Sequence, residues 1–237
     1  MYAQATVTAN QTAYQMPALC RGMQREAANR IAAISSLQTV GAGRAVFAEG
    51  DDAENVYEVV RGMLKLYKLL PDGRRQITGF LSAGDLLGLS FSGVYSYTAE
   101  AVTEVTLCRY SRARFERLVD EVPGFARRLL AVRSDELRAA QEQMLLLGRK
   151  MAVEKISSFL LMLADRQAEV QEADVVHLPM GRNDIADYLG LTTETVCRTL
   201  TKLKSLGAIK SLSTANIKLV DRGRIEELAA GDTPDEF

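Results

Sequence analysis

Apolar residues between positions 185 and 203 recur at intervals of three and four, the period of an amphipathic helix. In the second half of this stretch, the apolar positions are Val196, Leu200 and Leu203. The polar side chains that point away from that stripe are Glu194, Cys197, Arg198 and Thr201. Residues 183–189 form a shorter segment whose apolar positions are Ile185, Ala186 and Leu189. The pattern predicts two helices packed together, the second with an exposed polar face.

Local turn signals join these two helices and add a hairpin after them. Gly190 can adopt the positive φ that ends a helix, and Thr192 is a typical N-cap for the second helix. Residues 208–211 and 216–220 are typical of short strands on either side of the polar turn Ser213-Thr214-Ala215. Two helices, a tight turn and a hairpin predict a winged helix-turn-helix.

Upstream of this motif the hydrophobic period shortens toward that of strands. Strand-like pieces occupy residues 56–60, 63–70, 75–81 and 106–110. Glycine-containing turns separate them, including Glu49-Gly50-Asp51-Asp52, Pro71-Asp72-Gly73 and Ala83-Gly84-Asp85. The alternation in 63–70 is only partly clean. Short strands with glycine at the corners predict an antiparallel, jelly-roll-like β-roll, and with the helices they give an α+β fold class.

A long helical stretch lies between the roll and the winged motif. Ser111 is suited to cap a short helix over 112–120, and Pro123 to start the next helix. Beyond it, apolar residues are spaced seven, three, four, three and four apart, at Leu130, Leu137, Ala140, Met144, Leu147 and Met151. This repeat is typical of a parallel coiled coil and predicts a homodimer seam. The alternative is that the stripe packs on the roll of its own chain.

Composition restricts the class of protein. With 237 residues, 47% hydrophobic and 25% charged, the chain can bury more than one core. No apolar run approaches the ~18–20 residues that span a bilayer, and the first residues lack the pattern of a secretory signal. Residues 1–17 are polar, so we expect a flexible tail. The three cysteines, Cys20, Cys108 and Cys197, are too few and too widely spaced for a disulfide framework, which favours the cytoplasm.

Positive charge concentrates in the winged motif. Residues 181–224 contain eight Lys or Arg and four Asp or Glu, a net charge of +4, whereas the whole chain carries −1. A local basic excess favours contact with phosphates. On the exposed helix face, Arg198 suits a bidentate contact with guanine, and Glu194 suits acceptance from a cytosine amino group. The alternative is an ordinary surface ion pair worth about 0.3–0.5 kcal/mol.

Catalytic and metal-binding signals are weak by comparison. The roll sequence has no His/Asp/Glu trio, no Ser or Cys close to a His, and no glycine loop followed by a Lys. We interpret the acidic residues Asp51, Asp52 and Glu54 as a solvated turn, and the lone His177 as a surface or linker residue. We therefore expect no enzyme activity and no metal site.

Over nearly its whole length, the chain resembles the CRP/FNR superfamily of bacterial transcription regulators. The resemblance rests on EGD at 49–51, GDLLG at 84–88, the long central helix and LTTETVCRTLTKLKSLGAI at 191–209. It implies a cytoplasmic homodimer that binds double-stranded DNA at a TTG…CAA-type promoter palindrome and recruits RNA polymerase. The base-reading residues it implies are Thr193, Glu194, Cys197 and Arg198. The phosphate-contacting residues it implies are Arg182, Thr192 and Lys202.

The branch of the superfamily is indicated by missing residues. Where the cyclic-nucleotide branch carries a glutamate and an arginine for the ribose and phosphate, this chain has Leu89 and Tyr97-Thr98. The iron–sulfur branch needs four thiolates, whereas Cys20 and Cys108 supply two at most. The resemblance is therefore to FixK-like members without a sensory cofactor, which regulate microaerobic or anaerobic respiration and nitrogen-metabolism genes. The alternative is a regulator with a small-molecule or redox effector in the roll.

Cys197 allows two interpretations. It lies near a helix N-terminus and close to Arg198, two features that favour the oxidisable thiolate. The alternative is a small residue that lets the helix approach the bases.

We divide the chain into a tail (1–17), a β-roll (18–122), a dimerisation helix (123–151) and a winged helix-turn-helix domain (152–237).

Overall fold

The computed structural model describes Leu19 and residues 25–90, 92–122, 124–168 and 174–231. The expectations for the 1–17 tail, Cys20 and Pro123 fall outside these residues. The described chain consists of an N-terminal antiparallel β-roll, a long central helix, and C-terminal helices with a small sheet. This order confirms the predicted α+β fold class.

The roll consists of helix α1 and two four-stranded antiparallel sheets. Its elements are α1 (Arg25–Ala33), β1 (Ser35–Val40), β2 (Ala45–Phe47), β3 (Asn55–Arg61), β4 (Leu64–Leu69), β5 (Arg75–Leu81), β6 (Leu86–Leu87), β7 (Thr98–Ala101) and β8 (Val105–Ser111). One sheet has the order β1-β8-β3-β6 and the other β2-β7-β4-β5. Buried residues of both sheets, such as Leu64 and Leu107, meet in one core. Each sheet therefore combines strands that are distant in the sequence.

The four strand-like sequence segments correspond to β3, β4, β5 and β8. The other roll strands were not predicted. Of these, β2 and β6 have only three and two residues and show no usable period. The imperfect alternation in β4 has a structural cause. The β4–β5 register shifts between Leu66 and Tyr67, and the successive residues Leu64 and Lys65 are both buried.

Three helices lead out of the roll: α2 (Arg112–Glu121), α3 (Phe125–Arg149) and α4 (Ala152–Gln167). Ser111 stands at the N-cap of α2, as predicted, although its side chain makes no capping hydrogen bond. The placement of Met151 on the long helix is wrong. Lys150 and Met151 are extended, and the Glu154 carboxylate accepts a hydrogen bond from the Met151 N–H, which begins α4 instead.

The remaining elements form the winged domain: β9 (Val175–His177), α5 (Arg182–Leu189), α6 (Thr193–Ser205), β10 (Ile209–Ser211), β11 (Asn216–Leu219) and α7 (Arg222–Ala230). The predicted hairpin is β10–β11, and β9 adds a third strand in the order β10-β11-β9. His177 is therefore part of the wing sheet rather than of a linker, and its Nδ1 lies 2.9 Å from Asn216 Oδ1. The domain core also includes Ile77 and Phe80 of β5.

Candidate nucleic-acid interface

The α5–α6 pair is fixed by its turn and by its apolar contacts. Gly190 ends α5 with φ of 62°, in the left-handed region that was predicted. Thr192 caps α6, and its hydroxyl accepts the Thr195 N–H at 3.1 Å. The buried residues of the two helices are Ile185, Ala186, Tyr188, Leu189, Val196, Leu200 and Leu203. Since one side of α6 is held in the core, its opposite side is fixed toward solvent.

The exposed side of α6 presents the predicted base-reading residues together. Thr193, Glu194, Cys197 and Arg198 are all exposed. The Arg198 guanidinium lies 3.6 Å from the Glu194 carboxylate, and both side chains remain at least 75% exposed. An ion pair this exposed contributes little stability. Breaking this ion pair therefore costs little free energy, so Arg198 and Glu194 can each bond to a base edge instead.

A contact between the two helices orients Thr193. Its hydroxyl donates to Asn183 Oδ1 at 2.8 Å, so the Thr193 rotamer is tied to the start of α5. The sequence pattern did not single out Asn183, because its partner lies ten positions away on another helix. The contact leaves the Asn183 amide nitrogen as a further polar group beside the exposed side of α6.

Basic side chains lie on both helices and on the wing. Arg182 and Lys202, two of the expected phosphate contacts, are half-buried, and Thr192 is exposed. Lys210 and Lys218 stand directly opposite each other in the β10–β11 ladder, and both are exposed. Facing like charges destabilise a strand pair unless an anion offsets them. The two wing lysines are thus phosphate-contact candidates that residue counting alone did not identify.

Not all of the charged residues behind the net charge of +4 lie on the same surface. Asp184 and Asp187 do not face the basic surface, since they form ion pairs with Lys65 and Arg75 of the roll. Arg222 and Arg224 pair with acids, including Glu226 and Glu227 beyond the counted segment. The other six basic side chains of this segment lie on α5, α6 and the wing, namely Arg182, Arg198, Lys202, Lys204, Lys210 and Lys218.

The expected dimer seam on α3 is largely uncovered. Leu130, Leu137 and Met144 are 71%, 59% and 66% exposed, and Ala140 is exposed as well. They therefore do not pack on the roll of their own chain. Leu147 differs, because it is half-buried against the core of the winged domain.

Aromatic rings fill the roll interior near the positions expected to hold a cyclic nucleotide. The Phe47 and Tyr95 rings stack with centroids 3.7 Å apart, and Tyr57 and Tyr97 lie beside Phe47. The Tyr97 hydroxyl accepts the Gly88 N–H at 3.1 Å, and burial raises the pKa of Tyr97. Thr98 Oγ1 accepts the Glu49 N–H at 3.0 Å. The hydroxyl oxygens of Tyr97 and Thr98 are thus hydrogen-bonded within the protein.

Within the described ranges, no cluster of three or more His, Cys, Asp or Glu is arranged to hold a metal ion. The helices of that same part of the chain include none that is long and apolar enough to cross a membrane. Cys108 is buried, whereas Cys197 is exposed on α6.

Comparison with known proteins identifies relatives of both domains. Residues 37–122 match the family described as cyclic nucleotide-binding domain, and residues 154–228 match the Crp-like helix-turn-helix domain. The nitrogen fixation regulation protein FixK of Bradyrhizobium diazoefficiens is 48% identical over 79% of this chain and 79% of its own. The transcriptional activatory protein AadR of Rhodopseudomonas palustris is 44% identical over 80% of each chain. The structure of FixK2 from Bradyrhizobium japonicum is 37% identical, covers 82% of this chain and 97% of its own, and has a TM-score of 0.77.

Proposed function

Because the chain belongs to the CRP/FNR family of DNA-binding transcription regulators and is FixK-like, we propose that it activates transcription as a homodimer on a TTG…CAA-type palindrome. The observation that carries the proposal is the α6 face, where Glu194 and Arg198 point outward together beside Thr193 and Cys197. Arg198 contacts a guanine through two hydrogen bonds, and Glu194 accepts one from a cytosine amino group. Thr193 offers its methyl group to a thymine methyl.

The phosphate backbone is held by the basic rim of this face. Arg182, Thr192 and Lys202 contact phosphates at the start and the end of the helix pair, and Lys210 and Lys218 do so from the wing. Such contacts set affinity and register, whereas the α6 face supplies specificity. Replacing any one of these cations should weaken binding to all sequences about equally.

The homodimer forms along α3. The uncovered stripe of Leu130, Leu137, Ala140 and Met144 has the spacing of a coiled-coil seam and supports a parallel partner helix. Parallel pairing around a twofold axis presents the two α6 helices to successive major grooves, about 34–36 Å apart. The palindrome of the operator follows from this symmetry.

The relatives' names suggest the genes that are controlled. FixK is named for nitrogen fixation regulation, and FnrL of Cereibacter sphaeroides, a transcriptional activator, is 36% identical over 91% of this chain. We assign this chain to promoters of microaerobic or anaerobic respiration and nitrogen metabolism. There it acts in the cytoplasm by recruiting RNA polymerase.

A second candidate is a regulator of the same family with an effector bound in the roll. The match of residues 37–122 to the cyclic nucleotide-binding domain favours it. The stacked Phe47 and Tyr95 rings favour a roll without an effector, since the rings occupy the interior. Absorbance spectra and native mass of anaerobically purified protein separate the two candidates, because a bound effector adds mass.

Selection of binding sites from random double-stranded DNA tests the main proposal. The purified protein should enrich two inverted TTG-like arms whose centres are about 10 base pairs apart. A single-stranded pool with the same sequences is the control and should show no enrichment. Enrichment of a single arm would contradict the dimer, and no enrichment at all would contradict sequence-specific binding.

A further inference from the structure

The C-terminal end of α5 makes contacts that the base-reading surface does not explain. The last carbonyl groups of a helix have no partner within the helix and need donors from elsewhere. In α5, the donors come from three separate elements of the protein. Gln76 Nε2 of β5 donates to the Asp187 carbonyl oxygen at 2.7 Å, and Gln143 Nε2 of α3 donates to the Tyr188 carbonyl oxygen at 2.9 Å. Lys155 Nζ of α4 donates to the Leu189 carbonyl oxygen at 3.1 Å.

The Tyr188 ring packs against aromatic rings from two of these elements, β5 and α4. The Tyr188 ring lies 5.2 Å from the Phe80 ring of β5 and 5.5 Å from the Phe159 ring of α4. Aromatic pairs at such distances add to the apolar burial. The helix end is therefore clamped by packing as well as by hydrogen bonds.

Ion pairs also attach the same helix to the roll. Lys65 Nζ of β4 lies 2.9 Å from the Asp184 carboxylate, and the Arg75 guanidinium lies 2.7 Å and 2.8 Å from Asp184 and Asp187. Both Lys65 and Asp184 are mostly shielded from solvent. Charged pairs that are removed from water depend strongly on correct geometry. A shift of α5 relative to the roll would therefore break several contacts at once.

We propose that the end of α5 is a three-sided anchor that fixes the angle of α6, and that Gln76 and Gln143 are positioning residues for DNA reading. The inference rests on the proposed function. Gln143 directly precedes the seam residue Met144, so dimer pairing and reading-helix angle are coupled through α3. Neither glutamine has to touch DNA, because each acts through the α5 carbonyl that it holds.

The test compares Gln143→Ala with Gln141→Ala, a control at an exposed position of the same helix. Binding to the selected operator and to a scrambled duplex is measured by fluorescence anisotropy, at a temperature at which circular dichroism shows every protein folded. For Gln143→Ala, the dissociation constant for the operator should rise roughly three- to tenfold, the effect of one neutral hydrogen bond. Binding to the scrambled duplex should stay unchanged, because phosphate contacts need less exact orientation.

Gln76→Ala provides a second variant on a different element and should show the same loss of discrimination. Sedimentation of both variants should show an intact dimer, which separates a change of angle from a loss of pairing. If the wild-type protein discriminates between the duplexes and both variants bind the operator as tightly as wild type or more tightly, the positioning role is wrong. The proposed function would not be affected by that result. Equal weakening on both duplexes would also overturn the positioning role. If wild type does not discriminate between the duplexes, the proposed function fails and the anchor's role in DNA reading fails with it.

Discussion

Replacement of Leu137 by Glu tests the dimer seam near its middle. Leu137 is 59% exposed in the single chain, and a symmetric partner helix would cover this remaining surface. Full burial of a leucine side chain contributes about 1.5–3 kcal/mol, so the covered part contributes about 1–2 kcal/mol per protomer. Because the seam is symmetric, the two copies together contribute about 2–4 kcal/mol.

The carboxylate makes the substitution more severe. The two introduced charges would face each other across the seam and lose water, which adds a desolvation and repulsion cost. Loss of 2 kcal/mol alone weakens dimerisation about 30-fold. We therefore expect Leu137→Glu to sediment as a monomer at micromolar concentration and to bind the operator poorly.

Leu69→Glu is the matched control, because Leu69 is also an exposed leucine, 63% accessible, but lies on β4 of the roll. Analytical ultracentrifugation of both variants, with circular dichroism to confirm folding, measures the difference. An intact Leu137→Glu dimer would refute the seam. Dissociation of the Leu69→Glu variant to the same extent would show that the charge acts non-specifically.

Three other predictions concern the winged domain. Arg198→Ala should cost about 1–3 kcal/mol of operator binding and relax the preference at one base pair, whereas Arg182→Ala should weaken binding to all duplexes about equally. Site selection with both variants distinguishes these outcomes. An unchanged base preference for Arg198→Ala would refute the assignment. If Cys197 is a redox switch, peroxide should abolish DNA binding by the wild-type protein, since a sulfinate or sulfonate repels phosphates. The Cys197→Ser variant should keep binding DNA after the same treatment. Equal losses of binding in gel-shift titrations would place the oxidation elsewhere. Gly190→Ala should lower stability by about 1–2 kcal/mol in thermal unfolding, because its φ is 62° and an added Cβ would lie 3.3 Å from Leu147 Cδ2. Gly41→Ala, at an open position, is the comparison; equal melting temperatures would refute the strain argument.

The helix-turn-helix could be predicted because its signals are local. The apolar period of α6, the cap at Thr192 and the left-handed turn at Gly190 each depend on neighbours within a few residues. The exposed face with Glu194 and Arg198 follows from the same period, since a helix buried on one side presents its opposite side. The fold class and the candidate base-reading residues were therefore accessible from the sequence.

The end of the long helix was not accessible in this way. The apolar repeat continues through Met151 in the sequence, yet α3 ends at Arg149. Lys150 Nζ donates to Ser158 Oγ at 2.7 Å and to the Ala229 carbonyl oxygen at 2.8 Å. The second of these partners lies 79 positions away, so the break rests partly on tertiary packing that a repeat of apolar residues does not encode.

Contacts between distant residues also determined how α5 is attached to the roll and which of its charges are paired. By sequence, Lys65 is one polar position in an imperfect strand, and Asp184 is one acid in a basic segment. In the structure they form a mostly buried pair across 119 positions, because α5 packs against the roll beside Lys65. Local sequence thus determined which helix presents the candidate DNA-reading face. The packing of distant elements on α5 determined where that face is held, since such contacts exist only once the chain has folded.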